Sequence, residues 1–281
     1  MITRKNVVKI VRFRKGIFDL SHRNPTQLFG GCVRPFALLV PLLFLGIHPA
    51  PKSGEDLVRQ MHDRYAGKWY HNLTFTQTTS FPDRPAETWY EAGEIPGKLR
   101  IDIAPLDSMN AFMYLGDSSI VFKGGKRVGA REDRNLLMTL GFDVYGQPPQ
   151  TTVAQIKAAQ VDLSKIREDS WRGTKVWVVG AEKGDTLTNQ FWIEQDRLLF
   201  VRLIEQHKNP KKPEEKPAIL DITFEDYQPL AKGWVAPTCV IKVDGKELQR
   251  EKYRDIRADV KLQPDLYDPV TYHKPAWIKE K

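Results

Sequence analysis

Cysteine is scarce in this 281-residue chain, which contains only Cys32 and Cys239. Cys32 precedes an apolar run near the N-terminus, so it cannot serve as the lipidated cysteine that follows such a run. Cys239 is then alone in the remainder, and an internal disulfide is excluded there. Its flanks, Thr238 and Val240-Ile241, are typical of a strand. We predict a small buried core residue, with a reactive thiol as the alternative.

The sequence also lacks the short motifs that carry catalysis or cofactor binding. It has no G-x-S-x-G, no P-loop and no G-x-G-x-x-G after a predicted strand. None of the histidines beyond the N-terminal segment forms the i, i+4 pair of a zinc-binding helix; they are His62, His71, His207 and His273. We therefore expect no enzyme, no metal and no cofactor.

Carboxylate pairs leave a hydrolase open as a lower-ranked alternative. Asp221 with Glu225, and Glu91 with Glu94, are close in sequence. A glycosidase requires a particular separation of its two carboxyl groups, which a sequence does not supply. Exposed salt bridging is the ordinary role of such residues. An enzyme of this kind would need a polar cleft.

The apolar run near the N-terminus, from Phe36 to Ile47, is 12 residues long. A transmembrane helix needs about 20 apolar residues, and Pro41 further weakens a membrane helix. Basic residues precede the run, and small or turn-forming residues follow it up to Gly54. This order predicts a signal peptide with a long basic n-region over residues 1–51, export to the periplasm, and a mature domain of residues 52–281. An inner-membrane anchor facing the periplasm is the alternative.

The positive charge belongs largely to this leader. The whole chain has 43 Lys and Arg against 35 Asp and Glu, and residues 1–50 contribute 8 and 1 of these. The remainder therefore holds 35 basic and 34 acidic residues. A nucleic-acid-binding domain would keep a basic excess of its own, so we expect no nucleic-acid partner. The mixed run from Lys208 to Lys216 is interpreted as an exposed hairpin loop.

Three helical patterns and many strand patterns remain. Ser53 and Asp56 predict a capped first helix, and Leu136, Leu137 and Leu140 predict another in a long insertion. A further helix is expected after Thr152. Strand-like runs joined by turn residues are predicted at 73–79, 87–95, 98–103, 111–115, 119–123, 126–128, 175–180, 189–194, 198–204, 218–224, 237–243 and 246–253. The expected fold is α+β, a curled antiparallel sheet forming an incomplete barrel, with helices covering its concave face.

The strands carry a heavy load of aromatic and apolar residues. Trp89, Phe112, Met113, Phe122 and Trp177 belong to strands that are apolar on both faces. A plain core explains most buried aromatic residues. A concave apolar pocket for an acyl chain is the functional interpretation.

Short motifs follow one another through nearly all of the predicted mature chain. They are Phe75-Thr76-Gln77, Pro96 to Asp102, Trp171 to Trp177, Gln190 to Ile193, Phe224 to Tyr227, Gly233 to Pro237, Asp244 to Lys246, and Pro264 to Pro269. In this order, after an export signal, they resemble the LolA-like superfamily of periplasmic lipoprotein carriers and outer-membrane lipoprotein-sorting proteins. The resemblance implies a half-barrel with a helical lid, a cavity for lipid acyl chains, no cofactor and no catalysis.

The resemblance also suggests a ligand-binding set. It implies that an arginine near the lid stabilises the closed state, and Arg100 occupies the comparable strand. The predicted ligand-binding residues are Leu99, Arg100, Ile101, Met113, Val121, Trp177 and Trp192. The predicted function is a periplasmic carrier for lipid or the acyl chains of lipoproteins. The alternative is a non-catalytic envelope sensor or protein-binding module, with envelope membrane proteins as partners and a filled interior.

Overall fold

A computed structural model describes residues 49–132, 135–208 and 214–278. The predicted signal peptide lies outside the described residues except for 49–51, so its boundary with the mature domain stays a prediction. Among the described residues, no helix is long and apolar enough to cross a membrane.

One large antiparallel sheet dominates the described part of the chain. Its strand order is β6-β5-β4-β3-β2-β1-β15-β14-β11-β10-β9-β8-β7, and β12 and β13 form a separate hairpin. The strands are β1 (Asn72–Phe81), β2 (Arg84–Glu94), β3 (Lys98–Ile103), β4 (Asn110–Leu115), β5 (Ser118–Lys123), β6 (Lys126–Glu132), β7 (Ile166–Trp171), β8 (Thr174–Val179), β9 (Gln190–Glu194), β10 (Leu199–His207), β11 (Ala218–Glu225), β12 (Gln228–Leu230), β13 (Gly233–Val235), β14 (Thr238–Val243) and β15 (Lys246–Ala258).

The sheet has two halves that meet where the two ends of the domain pair. Strand β1 pairs with β15, with Leu73 opposite Ala258. From this seam, β2 to β6 extend to one edge and β14 to β7 to the other, mostly through hairpins between successive strands. The sheet is curled but not closed into a barrel, because β6 and β7 remain as edges.

Three α-helices pack on one face of the sheet, and two short 3-10 helices are also described, Leu106–Ser108 and Asp143–Tyr145. The α-helices are α1 (Gly54–Tyr65), α2 (Leu136–Gly141) and α3 (Pro149–Ala158). The predicted cap of α1 is confirmed, since the backbone N–H of Asp56 donates to Ser53 Oγ at 3.2 Å. Helix α1 buries Leu57, Val58 and Met61 against the sheet and the other helices. We call the sheet face that carries the helices the inner face, and the opposite one the outer face.

The predicted fold class is confirmed, with corrections at particular elements. The third strand has the predicted bounds, Lys98 to Ile103. Helix α3 begins at Pro149 and not after Thr152, because proline is well suited to the first helical position. Strands β7, β12 and β13 were not predicted: β7 alternates weakly, and β12 and β13 have three residues each. The predicted hairpin after His207 is confirmed by the pairing of β10 with β11, although residues 209–213 lie outside the described residues.

Candidate ligand-binding cavity

A cavity of about 400 Å³ lies between the inner face of the sheet and the helical insertion. Ligand pockets commonly have volumes of about 300–1,000 Å³. The sheet supplies apolar side chains from both halves, and α2 and the loop after it supply the opposite wall. The apolar lining residues are Leu73, Phe75, Trp89, Ile95, Leu99, Ile101, Phe112, Leu136, Leu137, Met138, Phe142, Leu203, Leu220, Ile222, Phe224, Ile241 and Leu248.

Four of the predicted ligand-binding residues belong to the inner face. Leu99 and Ile101 line the cavity. Val121 pairs with the cavity-lining Phe112, so it shares that face one strand further out, beyond the lining itself. Trp177 pairs with Ile193 and packs against the main core in the other half of the sheet.

The remaining three predicted residues lie on the outer face. Arg100 alternates with Leu99 and Ile101 along β3, and successive strand residues point to opposite faces. Met113 is opposite Arg100 in the β3–β4 pairing and therefore shares its face. Trp192 packs there with Val176, Val178 and Val201. Neighbours along one strand point to opposite faces and cannot all line one cavity, so the predicted set mixed residues of the two faces.

The side chain of Arg100 contacts other parts of the protein and does not face the cavity. Its side chain is 1% exposed and makes two hydrogen bonds of 2.9 Å to the carboxylate of Asp102. Its remaining donors reach the carbonyl oxygens of Leu266 at 2.7 Å and His273 at 2.6 Å. The guanidinium also lies 4.7 Å from the ring centroid of Tyr272. Arg100 thus holds the irregular C-terminal segment, residues 259–278, on the outer face.

Two buried glutamates interrupt the apolar lining of the cavity. Glu91 on β2 is 5% exposed and Glu251 on β15 is 7% exposed, and both line the cavity. Burial raises the pKa of Glu91 well above its usual range, and the neighbouring Glu251 raises it further. Burial also raises the pKa of Glu251. Two carboxyl groups in an apolar cavity cannot both ionise without cost.

Glu251 has hydrogen-bond donors, whereas Glu91 has none within the described part of the chain. Gln249 donates to Glu251 Oε1 at 2.6 Å and Tyr253 donates to Glu251 Oε2 at 2.9 Å. Cys239 also contacts Glu251, and burial raises the pKa of its thiol well above the usual range. Cys239 is completely buried, which confirms its prediction as a core residue.

Further acidic groups surround the same cavity. Glu132, Asp143 and Glu205 line it, together with the basic Lys98 and the titratable His207. Burial raises the pKa of Asp143 to about 6, although a hydrogen bond of 3.0 Å from the backbone N–H of Gly97 lowers it. Within the described ranges, no cluster of three His, Cys, Asp or Glu side chains could hold a metal ion.

The buried glutamates were not predicted to line a cavity. Glu91 was considered only as part of a pair with Glu94, which instead lies 2.5 Å from Lys98 Nζ. The alternation along β2 was a usable signal, because it places Glu91 on the same strand face as Trp89 and Gly93. Glu251 gave a weaker signal, since it stands among charged residues of β15.

The fold and the site define a class of protein: an open, curled antiparallel sheet with helices over its inner face and an apolar cavity between them. Comparison with solved structures agrees. The fold is similar to that of a domain from Vibrio parahaemolyticus designated an outer membrane lipoprotein-sorting protein, with 13% identity and a TM-score of 0.50 over 76% of this chain and 96% of that one. The resemblance predicted from the motifs is thereby confirmed at the level of the fold.

Two further solved structures were matched. One is a DUF1329 family protein from Desulfovibrio piger, at 11% identity and a TM-score of 0.48, covering 76% of this chain and 95% of that one. The other is a LolA superfamily protein from Nitrosomonas europaea, at 11% identity and a TM-score of 0.45, covering 76% and 97%. No protein-family model and no curated protein matches the sequence.

Proposed function

We propose that this protein is a non-catalytic carrier of the bacterial cell envelope that binds lipid, or the acyl chains of lipoproteins, in the cavity and acts in lipoprotein sorting. One observation carries the proposal: an apolar cavity of about 400 Å³ lies between the sheet and a helical insertion. Exposing an acyl chain to water costs about 0.8 kcal/mol per CH₂. A protein that moves such a chain through an aqueous compartment needs a cavity of this kind.

The helical insertion supplies the part of the wall that would have to move. Leu136, Leu137 and Met138 come from α2, a helix of only six residues. Short helices derive most of their stability from tertiary packing. Rearrangement of this wall could therefore admit and release a ligand without disrupting the sheet.

The proposed location is the periplasm, reached through the predicted signal peptide of residues 1–51. The fold similarity to a domain designated a lipoprotein-sorting protein supports an envelope location. The partners proposed are lipids or acylated proteins, together with the membrane proteins that would deliver or receive them.

Native mass spectrometry with lipid extraction tests the proposal. We expect the protein purified from a bacterial periplasm to carry an acyl species. Ile101→Glu should abolish the adduct, because it places a charge in the apolar lining. Leu137→Glu on α2 provides a second disruption on the opposite wall. Val270→Glu is the matched control, since Val270 is 67% exposed and lies outside the cavity.

A mass without adduct, combined with no lipid uptake on addition, would reject the carrier. Thermal melting of each variant separates loss of binding from loss of folding. Should Ile101→Glu fail to fold, Leu137→Glu and uptake by the unmodified chain still decide the question.

A protein-binding module is the second candidate, and a feature of the sheet edge favours it. All seven residues of β6, Lys126 to Glu132, are exposed, and β6 is an edge strand. An exposed edge can accept a strand from a partner. The same mass spectrometry separates the two candidates, because the module requires no bound lipid.

A further inference from the structure

The buried polar groups in and beside the cavity include acceptors that have no hydrogen-bond partner in the described part of the chain. Glu91 faces the cavity with no hydrogen bond or ion pair among the described residues. Gln77 is completely buried on the neighbouring strand, and its Oε1 has no partner there either. Its amide nitrogen donates to Thr79 Oγ1 at 2.8 Å, and the Gln77 side chain also contacts Glu251. Buried polar groups in native proteins nearly always have partners, and Glu91, unlike Gln77, lines the cavity, where a ligand could supply a donor.

Glu251 does not supply that donor. Its two oxygens already accept from Gln249 and Tyr253, an arrangement that favours the ionised carboxylate. A nearby cation would offset the burial that raises the pKa of both glutamates and would favour their carboxylate forms. No Lys or Arg is hydrogen-bonded to either glutamate within the described residues.

Resting on the proposed carrier function, we propose that the ligand is an amphiphile whose head is a protonated amine, held by Glu91 and Glu251 while its chain occupies the apolar part of the cavity. An ammonium group carries three donors and no acceptor. It can donate to the unpartnered Glu91, and its positive charge stabilises the ionised form of both carboxyl groups. A hydroxyl head would supply one donor and add two acceptors.

The charge of the remaining lining supports a cationic head over an anionic one. Glu132, Asp143 and Glu205 add to the two buried glutamates, against Lys98 and His207. Lys98 is already within 2.5 Å of Glu94. A carboxylate or phosphate head in this cavity would face uncompensated negative charges, and this repulsion would weaken its binding.

Burial explains why the site would discriminate strongly. An ion pair in a low-dielectric site is stronger than in water, and it forms only when both charges are desolvated together. The burial that disfavours the charge on Glu91 is offset when a cation occupies the neighbouring space. A neutral head gives no such compensation.

A dye-displacement titration with the full chain tests this. N-phenyl-1-naphthylamine reports occupancy of the apolar cavity, and dodecylamine, dodecan-1-ol and dodecanoate compete at pH 7.5, each below its micellar or solubility limit. Since all three share one chain, differences report the head alone. We expect the Kd of dodecylamine to be about tenfold or more below that of dodecan-1-ol, with dodecanoate weakest.

Two substitutions test whether Glu91 causes the preference for the amine. Glu91→Gln removes the charge with little change of shape, and it should raise the Kd of dodecylamine about tenfold while leaving that of dodecan-1-ol unchanged. Glu168→Gln is the matched control, because Glu168 is exposed on β7 and outside the cavity lining. It should alter neither value.

The outcomes separate this inference from the proposed function. Equal binding of the amine and the alcohol, tighter binding of dodecanoate, or an unchanged preference in a folded Glu91→Gln variant would overturn the amine inference and leave the carrier standing. If neither the dye nor any amphiphile binds, the carrier itself fails. The head-group comparison in the unmodified chain requires no variant, so poor folding of Glu91→Gln would not leave the inference undecided.

Discussion

At the scale of single residues, the role of Arg100 follows from the sheet face on which it lies. Its side chain is on the outer face and contacts the C-terminal segment instead of the cavity. It is buried with Asp102 at 2.9 Å and has two carbonyl partners in the C-terminal segment. Breaking a buried ion pair leaves an uncompensated charge, whereas losing an exposed pair costs little. Arg100 is therefore expected to matter for stability.

We predict that Arg100→Ala lowers the free energy of unfolding by about 3–5 kcal/mol, because Asp102 remains buried without its partner. Urea denaturation measures the change. Arg59→Ala is the control, since Arg59 pairs with Asp56 at 2.8 Å on the surface with 58% of its side chain exposed. That variant should lose at most about 1 kcal/mol. Similar losses in both variants would contradict the assigned role of Arg100.

Glu91 gives a pH-dependent prediction at the same scale. Burial raises its pKa in the folded state above the unfolded value. The folded protein thus binds the proton more tightly, so the contribution of Glu91 to stability is fully present below the unfolded pKa and is lost as pH rises through the folded pKa. Glu91→Gln removes this loss of stability at high pH, because glutamine does not ionise. The variant should be more stable than the parent at pH 8 by roughly 1–3 kcal/mol, the cost of a desolvated polar group.

Thermal unfolding of Glu91→Gln and the parent chain between pH 4 and pH 8 checks this. The difference should shrink toward pH 4, where the glutamate is neutral in both states. A variant less stable than its parent at pH 8 would show that Glu91 has a stabilising partner in the folded protein. Such a residue, costly to stability and facing a cavity, is typical of a binding site.

At the scale of elements, helix α1 approaches the sheet closely at its first residue. The backbone N–H of Gly54 donates to the carbonyl oxygen of Leu163 at 2.8 Å. A Cβ at this position would lie 2.6 Å from Val179 Cγ1 and 2.7 Å from Leu163 Cδ2. Glycine is therefore required by packing and not by backbone conformation.

We predict that Gly54→Ala destabilises the protein by about 1–3 kcal/mol, although alanine has the higher helix propensity. The clash would push α1 away from the inner face. Gly129→Ala is the matched control, because no atom lies within 4 Å of a Cβ built at Gly129. Chemical denaturation should show a change within about 0.5 kcal/mol for that control. A neutral Gly54→Ala variant would mean that the neighbouring side chains can move aside.

At the scale of the whole molecule, the outer face of the first sheet half is covered by the chain's own C-terminal segment. Ala111, Met113, Ile120 and Phe122 form a buried outer cluster against Tyr267 and Tyr272. Leu266 in the same segment is completely buried. This irregular segment thus covers the outer face, as the helices cover the inner face.

We expect Leu266→Ala to lower the free energy of unfolding by about 2–5 kcal/mol, as for other buried leucines. Val270→Ala in the same segment should change it by less than about 0.5 kcal/mol, because Val270 is 67% exposed. Urea titrations of the two variants make the comparison. Equal small effects would indicate that the segment contributes little to stability.

Much of this architecture could be predicted from local patterns. Period-two alternation located β3 at Lys98 to Ile103, and Ser53 marked the start of α1, because side-chain periodicity and capping depend on neighbouring residues. The curled sheet with helices followed from the number and order of such elements. Leu99 and Ile101 lie on one face of β3 for the same reason.

Only the tertiary structure decided which face points inward and what meets there. The pairing of β1 with β15 brings Gln77 and Tyr253 opposite each other across most of the described chain, and no local pattern encodes such a pairing. It is this pairing that places Glu91 and Glu251 in one apolar cavity. Arg100 and Met113 faced outward because a C-terminal segment covers that side. Sequence periodicity determines that two faces exist, whereas long-range packing determines the environment of each.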